Sequence, residues 1–466
     1  MRSRQPAIID AMTPTRPRPP SVERVLALLR ARAGTRAPEA LVSAARAAVG
    51  DERRRLAAGD RPRPLEALAD EVLARLAAHV ADAFPSRAVN ATGVIVHTNL
   101  GRAPWPEAAI RAAEAAAREP LLLELDRETG RRGRRYRVAE EHLVALTGAE
   151  DALVVGNGAA ALALAVGLAG RKAVIVGRGE LVEIGGGVRI PEVVRRAGAR
   201  LVEVGTTNRT RVEDYEEPLR DGRAAIVLRV HPSNFAMAGF VEAPDPAELA
   251  ALAHRHGALV VDDLGSGAFL DTAAFGLAHE PTPAERLAAG ADLVTFSGDK
   301  LVGGPQAGLV VGRAALVARL RRDPLARAMR PDKATLAAVA ATLGLHRAGL
   351  ATREIPVWRM IATTPGELRA RADAVAAGLS GANVVPLRSA TGGGSLPGAT
   401  LPSFGLALGA RSADRLLVAL RRGDPAVVGR IEDGRVVLDL RTVEPREDAE
   451  LRAAIERAVV AAEGAR

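Results

Sequence analysis

The 466-residue chain contains no cysteine and few aromatic residues. The absence of cysteine excludes disulfides, iron–sulfur clusters, thiolate metal sites and cysteine nucleophiles. Aromatic residues make up 2% of the chain, which argues against the stacking platforms of RNA-recognition motifs and single-strand-binding proteins. The chain also lacks the GxxxxGK[ST] and GxGxxG motifs, and His254 and His256 have no third ligand nearby, so neither a nucleotide cofactor nor a metal is predicted. Lysine occurs only at positions 172, 300 and 333, which confines amine chemistry to three residues.

The overall composition is that of a folded protein with a basic balance. Hydrophobic residues make up 48% and charged residues 26%, as in ordinary globular domains. The net charge of +9 favours a polyanionic partner, although an arginine-rich coding bias produces the same balance. No secretory or lipidation signal is recognisable, and Gly156 and Gly158 interrupt the one long uncharged stretch, residues 152–170. We therefore expect a cytoplasmic protein without a membrane span.

Three regions differ in pattern. Residues 1–85 have helical apolar spacing between proline-rich spacers and carry 15 arginines against 10 acidic residues, which predicts a small basic helical domain and linker. Residues 86–345 alternate strand-like runs with amphipathic helices, which predicts an α/β domain with a largely parallel sheet. Residues 346–466, with a helix at 367–379 and a hairpin turn at 432–434, predict a small α+β domain. The predicted strands of the α/β domain are 152–155, 173–176, 200–203, 225–229, 259–262, 293–297 and 309–311.

Lys300 is the strongest candidate for amine chemistry. It follows Ser297, Gly298 and Asp299 directly after a predicted strand, in a glycine-bounded turn. Burial at such a place would lower the pKa of Lys300 and expose a neutral amine to a carbonyl group, as a Schiff base requires. Taken alone, an ordinary turn lysine is an equal alternative. Lys172 in a loop and Lys333 at a helix start are more typical of structural or anion-binding positions.

Two further strand ends carry groups that suit a cofactor. Asp262 ends a predicted strand, where a carboxylate can keep a pyridinium nitrogen protonated, and the adjacent Asp263 is an alternative. The turn formed by residues 156–159 opens a helix and offers backbone N–H groups to a phosphate. A phosphate turn, an aspartate and Lys300 at three strand ends together predict a site for pyridoxal 5'-phosphate.

Five motifs in this order resemble bacterial selenocysteine synthase, the L-seryl-tRNA(Sec) selenium transferase family. They lie at residues 87–93, 97–102, 183–186, 261–267 and 297–300, and the resemblance covers the whole chain. It implies a large α/β domain with the fold of PLP-dependent transferases (fold type I, aspartate-aminotransferase-like). It also implies a tRNA-binding helical N-terminal domain and a small α+β C-terminal domain.

The resemblance also implies roles for individual residues. Lys300 corresponds to the Schiff-base lysine, and Asp299 to the catalytic acid beside it. Arg102, Arg327 and Arg330 correspond to binders of the selenium donor, although the spacing of Arg327 and Arg330 by itself favours a solvated basic helix face. The implied cofactor contacts are Lys300, Asp262, Asn157, Gly158, Ala159, Asn234 and Ser297.

The implied reaction belongs to selenocysteine biosynthesis. Seryl-tRNA(Sec) undergoes PLP-dependent β-elimination to an aminoacrylyl intermediate, and selenium from selenophosphate adds to give selenocysteinyl-tRNA(Sec). The lack of cysteine agrees with a soluble selenium donor. The resemblance further implies a homo-oligomer, a decamer built from dimers. Two alternatives stay open: a PLP-dependent lyase or aldolase that acts on a small amino acid, and a non-catalytic RNA-binding protein.

Overall fold

The computed structural model describes residues 18–30, 32, 38–81, 87–133 and 137–464. The chain divides into two compact units, Met1–Arg87 and Ala88–Arg466. None of the described helices has the length and apolar character that crossing a membrane requires.

The described part of the first unit forms three helices, α1 (Val22–Arg30), α2 (Pro38–Ala57) and α3 (Leu65–Ala81). Each helix contributes to one apolar cluster, for example through Val25, Ala45 and Leu68. Glu52 on α2 is completely buried and accepts hydrogen bonds from the backbone N–H of Arg63 at 2.9 Å and from its Nε at 2.6 Å. Because a buried carboxylate is tolerated only when it is paired, this contact holds the connection between α2 and α3 in place.

Among the described residues, the second unit contains all the strands and the remaining helices. Its strands are β1 (Ala88–Asn90), β2 (Val94–Val96), β3 (Asp151–Val155), β4 (Ala173–Gly177), β5 (Glu183–Ile184), β6 (Val188–Arg189), β7 (Arg200–Val204), β8 (Ala224–Val230), β9 (Leu259–Gly265), β10 (Leu293–Ser297), β11 (Gly308–Gly312), β12 (Ala382–Gly392), β13 (Thr400–Leu408), β14 (Ala426–Val428), β15 (Arg430–Glu432) and β16 (Arg435–Asp439). Its helices are α4 (Glu107–Arg118), α5 (Val138–Thr147), α6 (Gly158–Gly167), α7 (Ile190–Arg196), α8 (Glu216–Arg220), α9 (Pro246–Arg255), α10 (Pro283–Ala288), α11 (Ala314–Arg322), α12 (Pro324–Ala328), α13 (Lys333–Arg347), α14 (Ala351–Glu354), α15 (Pro356–Ala362), α16 (Pro365–Ala376), α17 (Ala413–Arg421) and α18 (Asp448–Gly464).

The seven strands predicted for the α/β domain form one sheet in the order β3-β11-β10-β9-β8-β4-β7. All pairs are parallel except those of β11, which runs antiparallel to β10 and β3. Apolar residues of α6, α7 and α11 cover one face, and those of α5, α9 and α13 cover the other. Burial on both faces explains the continuous apolar runs from which the strands were predicted. The arrangement places the carboxyl ends of the parallel strands at one edge, where ligands of such sheets bind.

A second sheet, in the order β15-β16-β13-β12-β2, forms the C-terminal part. Its strand β2 comes from near the start of the unit and pairs in parallel with β12, while β1 pairs in parallel with β14. Backbone hydrogen bonds therefore attach β1 and β2 to strands of the C-terminal part, although the sequence pattern placed residues 88–96 in the large domain. The predicted hairpin is formed by β15 and β16 around Asp433 and Gly434, both with positive φ.

The segment between β1 and β2 is a structural junction. Asn90 Oδ1 accepts hydrogen bonds from the backbone N–H and the hydroxyl of Thr92, at 3.1 and 2.7 Å. Gly93 has a φ of +76°, and a Cβ there would lie 2.4 Å from Oδ2 of the fully buried Asp439. The motif at residues 90–93 thus joins the two strands and directs the following segment, residues 97–102, toward the edge of the large sheet.

Candidate active site

Lys300 lies in the loop that follows β10, at the carboxyl edge of the large sheet. The loop is held by backbone hydrogen bonds from Gly298 N–H to Ala307 O at 2.9 Å and from Leu301 N–H to Ser266 O at 3.0 Å. Burial lowers the pKa of Lys300, and the nearby carboxylates of Asp263 and Asp299 oppose this shift. Because the two hydrogen bonds that hold the loop join backbone atoms, they fix the backbone position from which the Lys300 side chain extends.

The two adjacent aspartates of β9 point to opposite faces of the sheet, as alternation along a strand requires. Asp263 accepts a 2.6 Å hydrogen bond from Thr295 Oγ1, and the charge of Lys300 acts on it. Burial raises the pKa of Asp263 to about 6, although the hydrogen bond from Thr295 and the charge of Lys300 both act to lower it. Asp262 instead lies 3.5 Å from Arg286 Nε, and burial raises its pKa against the charges of Arg286 and Arg229. Asp263 is therefore the aspartate on the Lys300 side.

Asp262 belongs to a separate buried charge cluster behind this strand. Arg229 donates a 2.8 Å hydrogen bond from Nε to Glu180 Oε1, and His231 lies 3.4 Å from Glu280. Together with Arg286, the residues Glu180, Arg229, His231 and Asp262 line a cavity of about 290 Å³. The charges of this cluster compensate one another, which permits their burial.

The predicted phosphate turn lies between β3 and α6. Asn157 caps α6 because its Oδ1 accepts a 2.9 Å hydrogen bond from the N–H of Ala160. A Cβ at Gly158 would lie 2.4 Å from Ser297 Oγ, so the turn and the end of β10 are in close contact. The N–H groups of the first helical turn have no partner within a helix, which leaves those of Gly158 and Ala159 as donors for an anion beside Ser297.

Arg102 reaches the Lys300 loop from the segment after β2. Gly101 and Arg102 both have positive φ, +91° and +66°, and the second value is uncommon for a residue with a side chain. Arg102 Nη1 donates a 2.7 Å hydrogen bond to Asp299 Oδ2, while Gln306 Nε2 lies 3.4 Å from the same oxygen. The unusual backbone conformation thus aims a guanidinium at the residue before Lys300.

Arg327, Arg330 and Asn234 have different surroundings. Arg330 pairs with Glu124, and Arg327 and Arg330 line a cavity of about 450 Å³ that also contains Arg132 and Arg321. This cavity adjoins the phosphate turn, because the carbonyl of Met329 accepts a hydrogen bond from Gly156 N–H. Asn234 is exposed and donates a 2.6 Å hydrogen bond to the carbonyl of Glu183.

The structure therefore brings together only part of the predicted site. Arg102, Asp299 and Ser297 surround the Lys300 loop and the phosphate turn, with Asp263 joining them. Asp262 and Asn234 contact other partners. In the part of the chain that the structure describes, no three histidine or carboxylate side chains are arranged to hold a metal ion.

Comparison with known proteins assigns the family. Residues 88–444 match the family model described as SelA, L-seryl-tRNA selenium transferase. The chain belongs to this family. An L-seryl-tRNA(Sec) selenium transferase of Carboxydothermus hydrogenoformans is 44% identical over 83% of this chain and 85% of its own length. The protein of the same name from Solidesulfovibrio magneticus is 49% identical over 77% of this chain and 78% of its own length.

Among solved structures, D-glucosaminate-6-phosphate ammonia-lyase aligns with a TM-score of 0.59 at 22% identity, over 82% of this chain and 99% of that one. The likeness concerns the fold. The large domain has the α/β fold of type I PLP-dependent transferases, so the predicted family and fold class are both confirmed.

In this member of the selenium transferase family, the sequence did not predict that Gly394 contacts Lys300. A Cβ at Gly394 would lie 2.5 Å from Lys300 Nζ, and one at Gly265 would lie 3.4 Å from it. The sequence signal was the glycine triplet at 392–394, which indicated only a turn. Its contact with Lys300 depends on the pairing of β12 with β2, which no local pattern specifies.

Proposed function

We propose that this protein transfers selenium from selenophosphate to seryl-tRNA(Sec), which yields selenocysteinyl-tRNA(Sec). Relatives that bear the transferase name at 44% and 49% identity support this activity. The observation that carries the proposal is the placement of Lys300 next to Asp263 and Asp299, at the sheet edge where the phosphate turn meets Ser297.

Pyridoxal phosphate fits this site and is the cofactor we propose. Lys300 would hold its carbonyl carbon, the N-terminus of α6 with Ser297 its phosphate, and Asp263 its ring nitrogen. The fit depends on Gly158, since a side chain there would fill the space beside Ser297 Oγ. When bound, the cofactor supplies an electron sink for charge that develops at the serine Cα. The cofactor contact that the family resemblance implies for Asn234 would require its side chain to leave the carbonyl of Glu183.

The residues around Lys300 are suited to proton transfer. A lowered pKa keeps a larger fraction of Lys300 neutral near pH 7, so Nζ can accept the proton from the serine Cα. Asp299 is buried and held by Arg102, which places a carboxylate and a guanidinium beside that amine. Proton delivery to the departing β-hydroxyl is the role that we propose for Asp299 together with Lys300.

The two substrates are assigned to different basic parts of the chain. Selenophosphate is an oxyanion, and guanidinium groups bind such groups with paired hydrogen bonds, which suits Arg102, Arg327 and Arg330. The basic first unit is proposed to bind the tRNA. A decamer built from dimers and a cytoplasmic location stay predictions.

The experiment combines the visible spectrum with selenium transfer. The parent protein, Lys300→Ala and the matched control Lys333→Ala are reconstituted with pyridoxal phosphate. Each is then given seryl-tRNA(Sec) or free serine, with and without selenophosphate. The proposal predicts a visible band in the parent and in Lys333→Ala, a change with the charged tRNA only, and selenium transfer that needs Lys300. An equal response to free serine would favour the small-molecule lyase, and a parent without any band would refute the cofactor assignment.

A further inference from the structure

Three consecutive glycines end β12 and begin the loop toward β13. A Cβ at Gly392 would lie 2.3 Å from the carbonyl oxygen of Val96, and one at Gly393 would lie 3.3 Å from Thr98 Oγ1. These distances place the loop directly against β2 and the segment that leads to Arg102. Gly392 is therefore explained by close backbone approach within the C-terminal sheet, whereas a side chain at Gly393 would meet only the Thr98 hydroxyl.

The third glycine, Gly394, contacts Lys300. Its φ is +85°, and a Cβ there would lie 2.5 Å from Nζ, 2.6 Å from Cε and 3.1 Å from Cδ of Lys300. The loop has a rigid support, because the buried Thr391 donates a 3.0 Å hydrogen bond to the carbonyl of Ser395. A side chain at 394 could be accommodated only if the lysine or this supported loop moved.

We propose that Gly394 is a positioning residue that sets the path of the Lys300 side chain and the location of its amine. The loop that follows β12 thereby shapes the catalytic site, because Gly394 has no side chain that would displace Lys300. A misplacement of about 1 Å at a reacting group can cost roughly 100-fold in rate, so a single methyl group here should be costly. A test that measures cofactor binding rests on the proposed function. The contact between Gly394 and Lys300 does not depend on that function.

The first test compares Gly394→Ala with Gly398→Ala. Gly398 lies in the same loop with a φ of +76°, and a Cβ there would meet no atom within 4 Å. Both variants place a Cβ on a residue with positive φ, but only Gly394→Ala crowds Lys300. We measure the rate at which the visible cofactor band forms and expect a loss of roughly 100-fold in Gly394→Ala, with Gly398→Ala close to the parent. Equal rates in the two variants, whether fast or slow, would overturn the proposal.

The second test needs no cofactor. Gly394→Ala is introduced into the parent and into Lys300→Ala, and the midpoint of chemical unfolding of each apo-protein is measured. If the methyl group collides with the lysine, its destabilising effect should shrink when the lysine is truncated, even if Gly394→Ala alone does not fold. An equal shift in both backgrounds would show that backbone strain is the whole effect and refute the contact. A parent that binds no cofactor would contradict the proposed function while this second test still decides the contact.

Discussion

The guanidinium of Arg102 donates a 2.7 Å hydrogen bond to Asp299, the residue directly before Lys300. The two residues lie 197 positions apart in the chain, and the side chain of Asp299 is only 6% exposed. Removal of Arg102 leaves the buried carboxylate of Asp299 underpaired, which costs more than the net value of the pair.

We therefore expect strong coupling between Arg102→Gln and Asp299→Asn. Each single variant should lower the free energy of unfolding, and the double variant should lose less than the sum, with an interaction energy of about 1–3 kcal/mol. Chemical denaturation of the four proteins provides the measurement. Strict additivity would mean that the hydrogen bond contributes little, and Arg102 would then act on the substrate only.

Asp263→Asn and Asp262→Asn should have different effects. Because Asp263 lies on the Lys300 side, its replacement should weaken the binding of pyridoxal phosphate and reduce turnover. Asp262 lies 3.5 Å from Arg286 Nε, so its replacement should mainly destabilise the fold, by about 1–3 kcal/mol for a buried polar group that loses its partner. Cofactor titration and chemical denaturation of both variants separate the two effects. The reverse pattern would assign the ring nitrogen to Asp262.

His346 should make the protein acid-sensitive. Burial lowers its pKa from 6.5 to about 4, and Nε2 lies 2.9 Å from the carbonyl of Val302. Between these pH values the unfolded chain binds a proton that the folded chain does not, so the stability falls as the pH decreases. The slope should approach about 1.4 kcal/mol per pH unit. Unfolding curves at several pH values should show a shallower decrease in His346→Gln.

His279 offers a contrasting control. Its pKa is raised by a hydrogen bond to Asp271, so its contribution is present below its ordinary pKa of 6.5 and is lost as the pH rises through the raised value. His279→Gln should therefore leave the acid-side decrease in place or make it steeper. If His346→Gln and His279→Gln changed the slope in the same direction, the assignment of the acid sensitivity to His346 would be wrong.

Arg46 and Arg53 are candidates for phosphate contacts on the first unit. Both are exposed, lie seven residues apart on α2 and form no ion pair with any residue that the structure describes. Neutralisation of each by glutamine should weaken tRNA binding and lower the slope of log affinity against log salt by about one. Arg54→Gln is the matched control, because Arg54 already pairs with Asp51. Equal effects of all three variants would indicate a general charge effect.

Local sequence patterns predicted the elements of the large sheet well. Each predicted strand forms, and the uncharged stretch at 152–170 divides into β3, the capped turn at Asn157 and α6 as expected. These features depend on apolar runs, glycine breaks and helix capping, which act over a few residues. For the same reason the local pattern was sufficient to predict Lys300 and the phosphate turn at their strand ends.

The remaining features depend on contacts between distant segments. The choice between Asp262 and Asp263 follows from which face of β9 meets Lys300, and strand alternation alone does not say which face that is. Similarly, the contacts of Arg102 with Asp299 and of Gly394 with Lys300 require β2 to pair with β12, almost 300 residues later in the chain. The sequence by itself determined the strands of the large sheet, the candidate lysine and the family. Only the tertiary structure decided which side chains meet at that lysine, because packing and strand pairing between remote segments set those distances.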